Sequence, residues 1–110
     1  MVTSSSPFGG QVRTRVLLSL RLLTESYPRE LARLLAQPVN GIQGALRSLE
    51  RDGLVATRLA GRTRLVRINP RYFAKQDLDR YLLRLAAADR ELQSRVSALR
   101  RRPRRSGKPL

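Results

Sequence analysis

Leucines and other apolar residues recur at helical spacing in two neighbouring stretches of residues 29–53. Both stretches have the i, i+3, i+4 pattern of an amphipathic helix. The apolar positions are Leu31, Leu34 and Leu35, followed by Ile42, Ala45, Leu46 and Leu49. Gln37 and Pro38 interrupt the pattern, because proline cannot continue the helical hydrogen-bond ladder and disfavours helix at the residue before it. The pattern predicts two short helices joined by a tight turn, a helix-turn-helix unit.

The pattern changes to β-rich runs after the second helix. Residues 54–58 and 63–68 are predicted strands, and residues 59–62 are the predicted turn of a hairpin. Helix, helix and hairpin in this order make a winged helix-turn-helix domain, which we assign to residues 9–73. Residues 1–8 are predicted to be a flexible N-terminus, since they are rich in serine.

An earlier helix is predicted up to Thr24 from apolar residues at helical spacing. These are Val12, Val16, Leu17, Leu20 and Leu23. Leu18 and Leu22 widen its apolar face, which indicates either a deeply wrapped position or a subunit contact. Beyond the hairpin, Tyr72 and Phe73 are expected to cap it as part of the core.

The segment from residue 75 to residue 100 lacks proline and glycine, and its apolar residues alternate in steps of four and three. This alternation predicts one long C-terminal helix over residues 74–100 with a coiled-coil seam that forms a dimer. The predicted dimerisation residues are Leu78, Leu82, Leu85, Asp89, Leu92, Val96 and Leu99. Asp89, the polar member, is expected to fix the register and to pair with an arginine such as Arg90 or Arg95. The alternative is an amphipathic helix that folds back along its own domain.

The chain is strongly basic, with 23 Lys and Arg against 8 Asp and Glu and a formal charge of +15. Such an imbalance is usually tolerated where the partner is a polyanion. A codon bias could explain why arginine outnumbers lysine, but it does not explain the scarcity of acids. Residues 101–110 are predicted to be a disordered basic tail, which could add non-specific phosphate contacts.

Cysteine and histidine are both missing from the sequence. This removes disulfides, thiolate nucleophiles, imidazole bases and the usual zinc ligands. We therefore expect no enzyme activity, no cofactor and no metal site. The first ten residues do not form a signal peptide, and the apolar runs are too short to span a membrane. The protein is expected in the cytoplasm, without membrane contact.

The solvent side of the second helix carries the residue types that read base edges. Asn and Gln can pair with adenine and Arg with guanine in the major groove. The candidate DNA-binding residues are Asn40, Gly41, Gln43, Gly44, Arg47 and Arg51 on this helix, and Arg58, Arg62 and Arg64 on the hairpin. The two glycines indicate a close approach of the backbone to DNA, or close helix packing, or simply a weak start of this helix. The hairpin arginines suit the minor groove or flanking phosphates, although charges there could also protect a strand edge.

Several segments together resemble the winged helix-turn-helix regulators of bacteria and archaea of the ArsR-like and MarR-like kind. They are residues 30–35 (Glu-Leu-Ala-Arg-Leu-Leu), residues 45–55 (Ala-Leu-Arg-Ser-Leu-Glu-Arg-Asp-Gly-Leu-Val), and residues 61–65 (Gly-Arg-Thr-Arg-Leu) with Asn69-Pro70. The resemblance covers residues 10–73 and implies a dimer that represses promoters at inverted repeats. The turn Ala36-Gln37-Pro38 departs from the glycine and capping serine that are common in these families. Their metal-sensing members use Cys and His ligands, so that property does not carry over.

The sequence therefore predicts a homodimeric, sequence-specific regulator of transcription that binds double-stranded DNA. The helix at residues 39–52 would read the major groove, and the wing at residues 54–68 would grip flanking DNA. Two alternatives also fit the sequence: a non-specific architectural nucleic-acid-binding protein, and a protein-interaction module that uses the long helix. A small-molecule effector could bind between the long helices of two protomers, but no residue identifies such a site.

Overall fold

The computed structural model describes residues 8–101, which form five helices and a three-stranded sheet. In chain order the elements are α1 (Gln11–Leu23), β1 (Glu25–Ser26), α2 (Pro28–Leu35), α3 (Val39–Arg51), β2 (Val55–Ala60), β3 (Thr63–Ile68), α4 (Lys75–Ala87) and α5 (Arg90–Arg101). The predictions for the flexible N-terminus and the basic tail lie outside the described residues, except at Phe8 and Arg101. Phe8 packs against the core, so it does not belong to a loose segment, and Arg101 is the last residue of α5.

Helix α1 lies at the centre of the fold. Val16, Leu17, Leu18 and Leu20 are all buried, and α1 packs against α3, α4 and the sheet. Its wide apolar face therefore reflects a deeply wrapped position within one protomer, which is the first of the two possibilities that the sequence left open.

The predicted helix-turn-helix is confirmed. Pro28 occupies the first turn of α2, where its missing N–H costs nothing. Helix α2 ends at Leu35, and its C-cap, Ala36, has a left-handed conformation with φ 55°. The N–H of Gln37 donates to the carbonyl of Ala32 at 3.0 Å, and Pro38, in an extended conformation, is the N-cap of α3. The turn between the two helices thus takes only Ala36, Gln37 and Pro38.

A glycine ends α3, as the sequence predicts. Gly53 has φ +81°, and its N–H donates to the carbonyl of Glu50 at 3.0 Å. The N–H of Leu54 donates to the carbonyl of Leu49 at 2.9 Å. These two bonds make a Schellman motif, which satisfies the last helical carbonyls and directs the chain into the wing.

The sheet is antiparallel, with strand order β1-β3-β2. Its hairpin turn is shorter than predicted, because β2 extends through Leu59 to Ala60, which pairs with Thr63. Only Gly61 and Arg62 remain in the loop. Gly61 has φ +65° and Arg62 does not have a positive φ, a pattern typical of the type II′ turn that suits the twist of a hairpin.

The prediction of one helix over residues 74–100 is wrong. Helix α4 ends at Ala87, and α5 begins at Arg90. The side chain of Asp89 accepts a hydrogen bond from the N–H of Leu92 at 3.1 Å, so Asp89 is the N-cap of α5. The break lets α5 fold back against α1 and α2.

The coiled-coil seam is also wrong, because its side chains are used inside the protomer. Leu78, Leu82, Leu92 and Val96 are buried, and Leu85 and Leu99 pack against the same core. The structure matches the alternative in which the segment folds back along its own domain. Homodimerisation stays a prediction, but it requires another surface.

Asp89 does not fix a register between chains. Its carboxylate lies 3.7 Å from Nε of Arg15 on α1, and Asp89 is 5% exposed. The predicted partners are elsewhere, since Arg95 pairs with Glu91 at 2.7 Å and no ion pair joins Arg90 to Asp89 within residues 8–101. Asp89 thus interrupts the apolar pattern because it begins helix α5, and its charge is paired with Arg15 of the same protomer.

The two aromatic residues after the wing have different environments. Tyr72 packs against the core, whereas Phe73 is 91% exposed, so the prediction that Phe73 is a core residue is wrong. Their ring centroids lie 5.0 Å apart. Phe73 therefore gains its contact from Tyr72 rather than from the helices.

Among the helices of residues 8–101, none is long and apolar enough to cross a membrane.

Candidate nucleic-acid interface

Helix α3 presents the predicted base-reading residues on one surface. Ile42, Leu46 and Leu49 bury the opposite face of the helix. The other side carries Asn40, Gly41, Gln43, Gly44, Arg47 and Arg51, of which only Gly44 is half-buried. Steps of four, three and four residues separate Asn40, Gly44, Arg47 and Arg51, so these four positions lie in one row along the helix. The structure therefore brings all six positions together.

The glycines of α3 are not there for close helix packing. A Cβ atom on Gly41 would meet nothing within 4 Å, and one on Gly44 would meet only the end of the Arg47 side chain at 3.9 Å. Two glycines in an exposed helix cost about 1 kcal/mol each relative to alanine. What they provide is a bare stretch of backbone at the surface.

All eight Asp and Glu side chains lie within the described residues, and each has a partner. Six are paired with basic side chains: Glu25 with Arg58, Asp52 with Arg13, Asp77 with Arg80, Asp79 with Lys75 and Arg21, Asp89 with Arg15, and Glu91 with Arg15 and Arg95. The other two, Glu30 and Glu50, accept hydrogen bonds from Ser26 and Thr57. The scarce acids thus leave much of the basic surface uncompensated.

Among the described residues, exposed arginines without an ion pair lie on the helix-turn-helix and the wing, and others lie on α4 and α5. Within residues 8–101, no carboxylate forms an ion pair with Arg29, Arg33, Arg47, Arg51, Arg62, Arg64 or Arg67, and all seven are exposed. Three of them, Arg29, Arg33 and Arg67, were missed as candidates at the sequence level. The sequence alone could have identified Arg29 and Arg33. They are four residues apart and lie opposite the leucines of α2, so both are on the solvent side of that helix.

The outer half of the hairpin extends beyond the body of the protein. Residues 58–64 are all exposed. The three predicted wing arginines do not form one cluster, because Arg58 lies opposite Leu65 on one face, Arg64 lies opposite Leu59 on the other, and Arg62 is in the turn. Nε of Arg58 lies 3.3 Å from a carboxylate oxygen of Glu25, so this arginine also fastens the wing to β1.

Arg13 fixes the end of α3 on α1. Its guanidinium donates hydrogen bonds to the hydroxyl of Ser48, to the carbonyl of Phe8 and, at 2.9 Å, to the carboxylate of Asp52. Two of these contacts, to Ser48 and Asp52, hold the end of α3 against the central helix, and the third ties Arg13 to the segment before α1. Since the exposed face of α3 is presented by this scaffold, Arg13 is a positioning residue for the interface.

An open cavity of about 500 Å³ lies beside this network, lined by Phe8, Gly9, Arg13, Asp52, Leu54 and Tyr72. It lies between the start of α1 and the exit from the wing, not along α4 and α5. Over the part of the chain that the structure describes, no group of three or more His, Cys, Asp or Glu residues could hold a metal ion.

Comparisons with known proteins support the fold. No protein-family model and no curated protein sequence matches the chain. Among solved structures, the chain is similar to the apo form of a double mutant of Lactococcus lactis ZitR, with a TM-score of 0.54 and 15% sequence identity. The match covers 86% of this chain and 69% of the ZitR chain. At this identity the likeness shows the fold alone, and the predicted winged helix is thereby confirmed.

Proposed function

We propose that this protein is a sequence-specific transcriptional regulator that binds double-stranded DNA with α3 in the major groove. One observation carries the proposal: the exposed face of α3 combines amide and guanidinium side chains, and within residues 8–101 none of its arginines is neutralised by a carboxylate. The fold supports it, because ZitR is a winged-helix transcriptional regulator.

The residues of α3 divide into base readers and backbone contacts. Asn40 and Gln43, in the first turns, suit bidentate bonds to adenine, and Arg47 suits guanine. Arg51, in the last turn, suits a phosphate. The bare backbone at Gly41 and Gly44 would let the helix approach the groove closely.

A homodimer on an inverted repeat is part of the proposal. The resemblance to ArsR-like and MarR-like regulators supports it, with half-sites about one helical turn apart. The contact surface is not the apolar faces of α4 and α5, which already pack against the core. Sedimentation of the protein alone and on the duplex would measure the stoichiometry.

The proposal is tested by selecting duplexes from a random pool and measuring their affinity by fluorescence anisotropy at about 150 mM salt. A regulator should bind the selected duplex at least ~10³-fold more tightly than a scrambled duplex of the same composition. Equal affinity for both duplexes, lost together as salt is raised, would overturn the proposal.

A non-specific architectural protein is the second candidate. The open surface at Gly41 and Gly44 favours it, because each glycine removes a side chain that could read a base. The charge of +15 favours it as well. The same anisotropy experiment separates this candidate from the first, since it predicts no enriched sequence in the selection.

A further inference from the structure

We propose that the tip of the wing contacts the minor groove through an apolar side chain, Leu59, flanked by Arg62 and Arg64, and that this contact favours A·T base pairs. The inference rests on the proposed function, because it takes duplex DNA as the ligand. It adds to that function a second element that recognises base pairs, through the shape of the minor groove and an apolar contact with it.

Leu59 has no role in the protein core. It is 68% exposed and lies in the outer half of the hairpin, beyond the residues of β2 that reach the body. Val55, on the same strand and the same face, is 2% exposed and supplies the core contact. A polar β-former at position 59 would serve the strand equally well, so its hydrophobic surface is available to a partner.

The strand register places Leu59 beside a cation. Leu59 lies directly opposite Arg64 in the antiparallel pair, so their side chains share one face of the hairpin. Directly opposed residues in such a pair have Cβ atoms about 5 Å apart. The turn then adds Arg62, which has no carboxylate partner within residues 8–101. The tip therefore combines one apolar side chain with two uncompensated charges.

This face of the hairpin is the one turned towards α3. Thr57, two residues before Leu59 on the same face, donates its hydroxyl to the carboxylate of Glu50 on α3 at 3.2 Å. On the other face, Arg58 is held by Glu25. A duplex bound by α3 would therefore meet Leu59 and Arg64 rather than Arg58.

The chemistry of the minor groove fits this tip. The groove is about 6 Å wide, and its floor presents only acceptors at A·T pairs, whereas G·C pairs add the 2-amino group of guanine. A leucine against that amino group would leave a donor without a partner. Narrow A·T-rich grooves also have a more negative potential, which attracts arginine. Both residue types thus favour A·T.

The test uses the full chain and the selected duplex with three kinds of flank: A·T, G·C and inosine·C. Inosine has the major-groove edge of guanine but lacks the 2-amino group, so it isolates the minor groove. The A·T and inosine·C flanks should bind with similar affinity, and the G·C flank about tenfold more weakly. Leu59→Ala should remove most of this difference.

Two variants serve as controls. Leu83→Ala removes a leucine of α4 that is 44% exposed, and it should keep the full flank preference. Arg64→Ala removes a charge and keeps Leu59, so it should weaken binding to all three duplexes, reduce the salt slope by about 0.9 and keep the weaker binding of the G·C flank relative to inosine·C. Circular dichroism of each variant checks the fold, which exposed positions should tolerate.

Equal affinity of the wild type for the three flanks would overturn the inference and leave the proposed function intact. A flank preference that Leu59→Ala leaves unchanged would also overturn the inference, because the shape of the groove or the arginines alone would then explain the preference. If Leu59 joins two copies of the chain instead, Leu59→Ala would change sedimentation without DNA and leave the flank preference in place. Failure to bind any duplex would overturn the proposed function as well.

Discussion

Ala36 and Thr24, each at the end of a helix, have positive φ angles without being glycine. Ala36 has φ 55° at the helix-turn-helix turn, and Thr24 has φ 76° after α1. A left-handed conformation costs a residue with a Cβ atom about 1–2 kcal/mol. Both positions hold their conformation because the adjoining helices are fixed by the core.

Ala36→Gly should therefore stabilise the protein. Relief of the left-handed strain exceeds the entropy that glycine adds to the unfolded chain, so the free energy of unfolding should rise by about 0.5–1 kcal/mol. Urea denaturation measures the change. Ala98→Gly, at an exposed position inside α5, is the control and should lower stability by about 1 kcal/mol. Strain at Ala36 is refuted if both substitutions destabilise alike.

Gly41→Ala separates stability from function at a single residue. Because a Cβ atom there meets nothing within 4 Å, the substitution should raise the free energy of unfolding by about 0.5–1 kcal/mol. Affinity for the selected duplex should fall about tenfold, because the added methyl group keeps the backbone from the groove. A more stable variant with unchanged affinity would show that this glycine does not serve a close approach to DNA.

At the scale of elements, α5 is fastened to the helix-turn-helix. Asp89 caps α5 and pairs with Arg15 on α1. Arg95 donates a hydrogen bond to the carbonyl of Leu34 at 2.8 Å, at the end of α2 and next to the turn. These contacts tie the last described helix to both α1 and α2, so α5 supports the orientation of the helix-turn-helix.

Two substitutions at Asp89 divide its two roles. Asp89→Ala removes the cap and leaves Arg15 without one of its carboxylates, so it should cost about 2–4 kcal/mol. Asp89→Asn keeps a capping oxygen and loses only the charge, so it should cost about half as much. Urea denaturation gives both values. Equal losses would mean that the cap contributes little.

The sequence predicted the elements better than the way they pack. Helices α2 and α3 followed from leucine spacing and Pro38, and the wing followed from Gly53 and Gly61. The break at Asp89 was missed, because the same alternation of apolar residues fits a seam between two chains and a helical hairpin within one. The ion pair of Arg58 with Glu25 was missed too, since it depends on the β1–β3 pairing, which local spacing does not determine.

For the whole molecule, the distribution of charge is more informative than its total. A charge of +15 on 110 residues indicates a polyanionic partner but does not locate it. Within the described part of the chain every Asp and Glu side chain has a partner, which leaves exposed arginines without a carboxylate on α2, α3 and the wing, and others on α4 and α5. In the proposed function, specificity comes from the few side chains of α3 that can reach base edges.

The central claim is that α3 reads bases, and Arg47→Ala tests it most directly. The measurement is the ratio of affinities for the selected and scrambled duplexes, by anisotropy at fixed salt. Removing a bidentate contact to guanine should lower this ratio about 10–100-fold, with little change for the scrambled duplex. Arg84→Ala, an exposed arginine of α4, should leave the ratio unchanged. An equal loss of affinity for both duplexes in Arg47→Ala would contradict the claim, because Arg47 would then contact only the phosphate backbone.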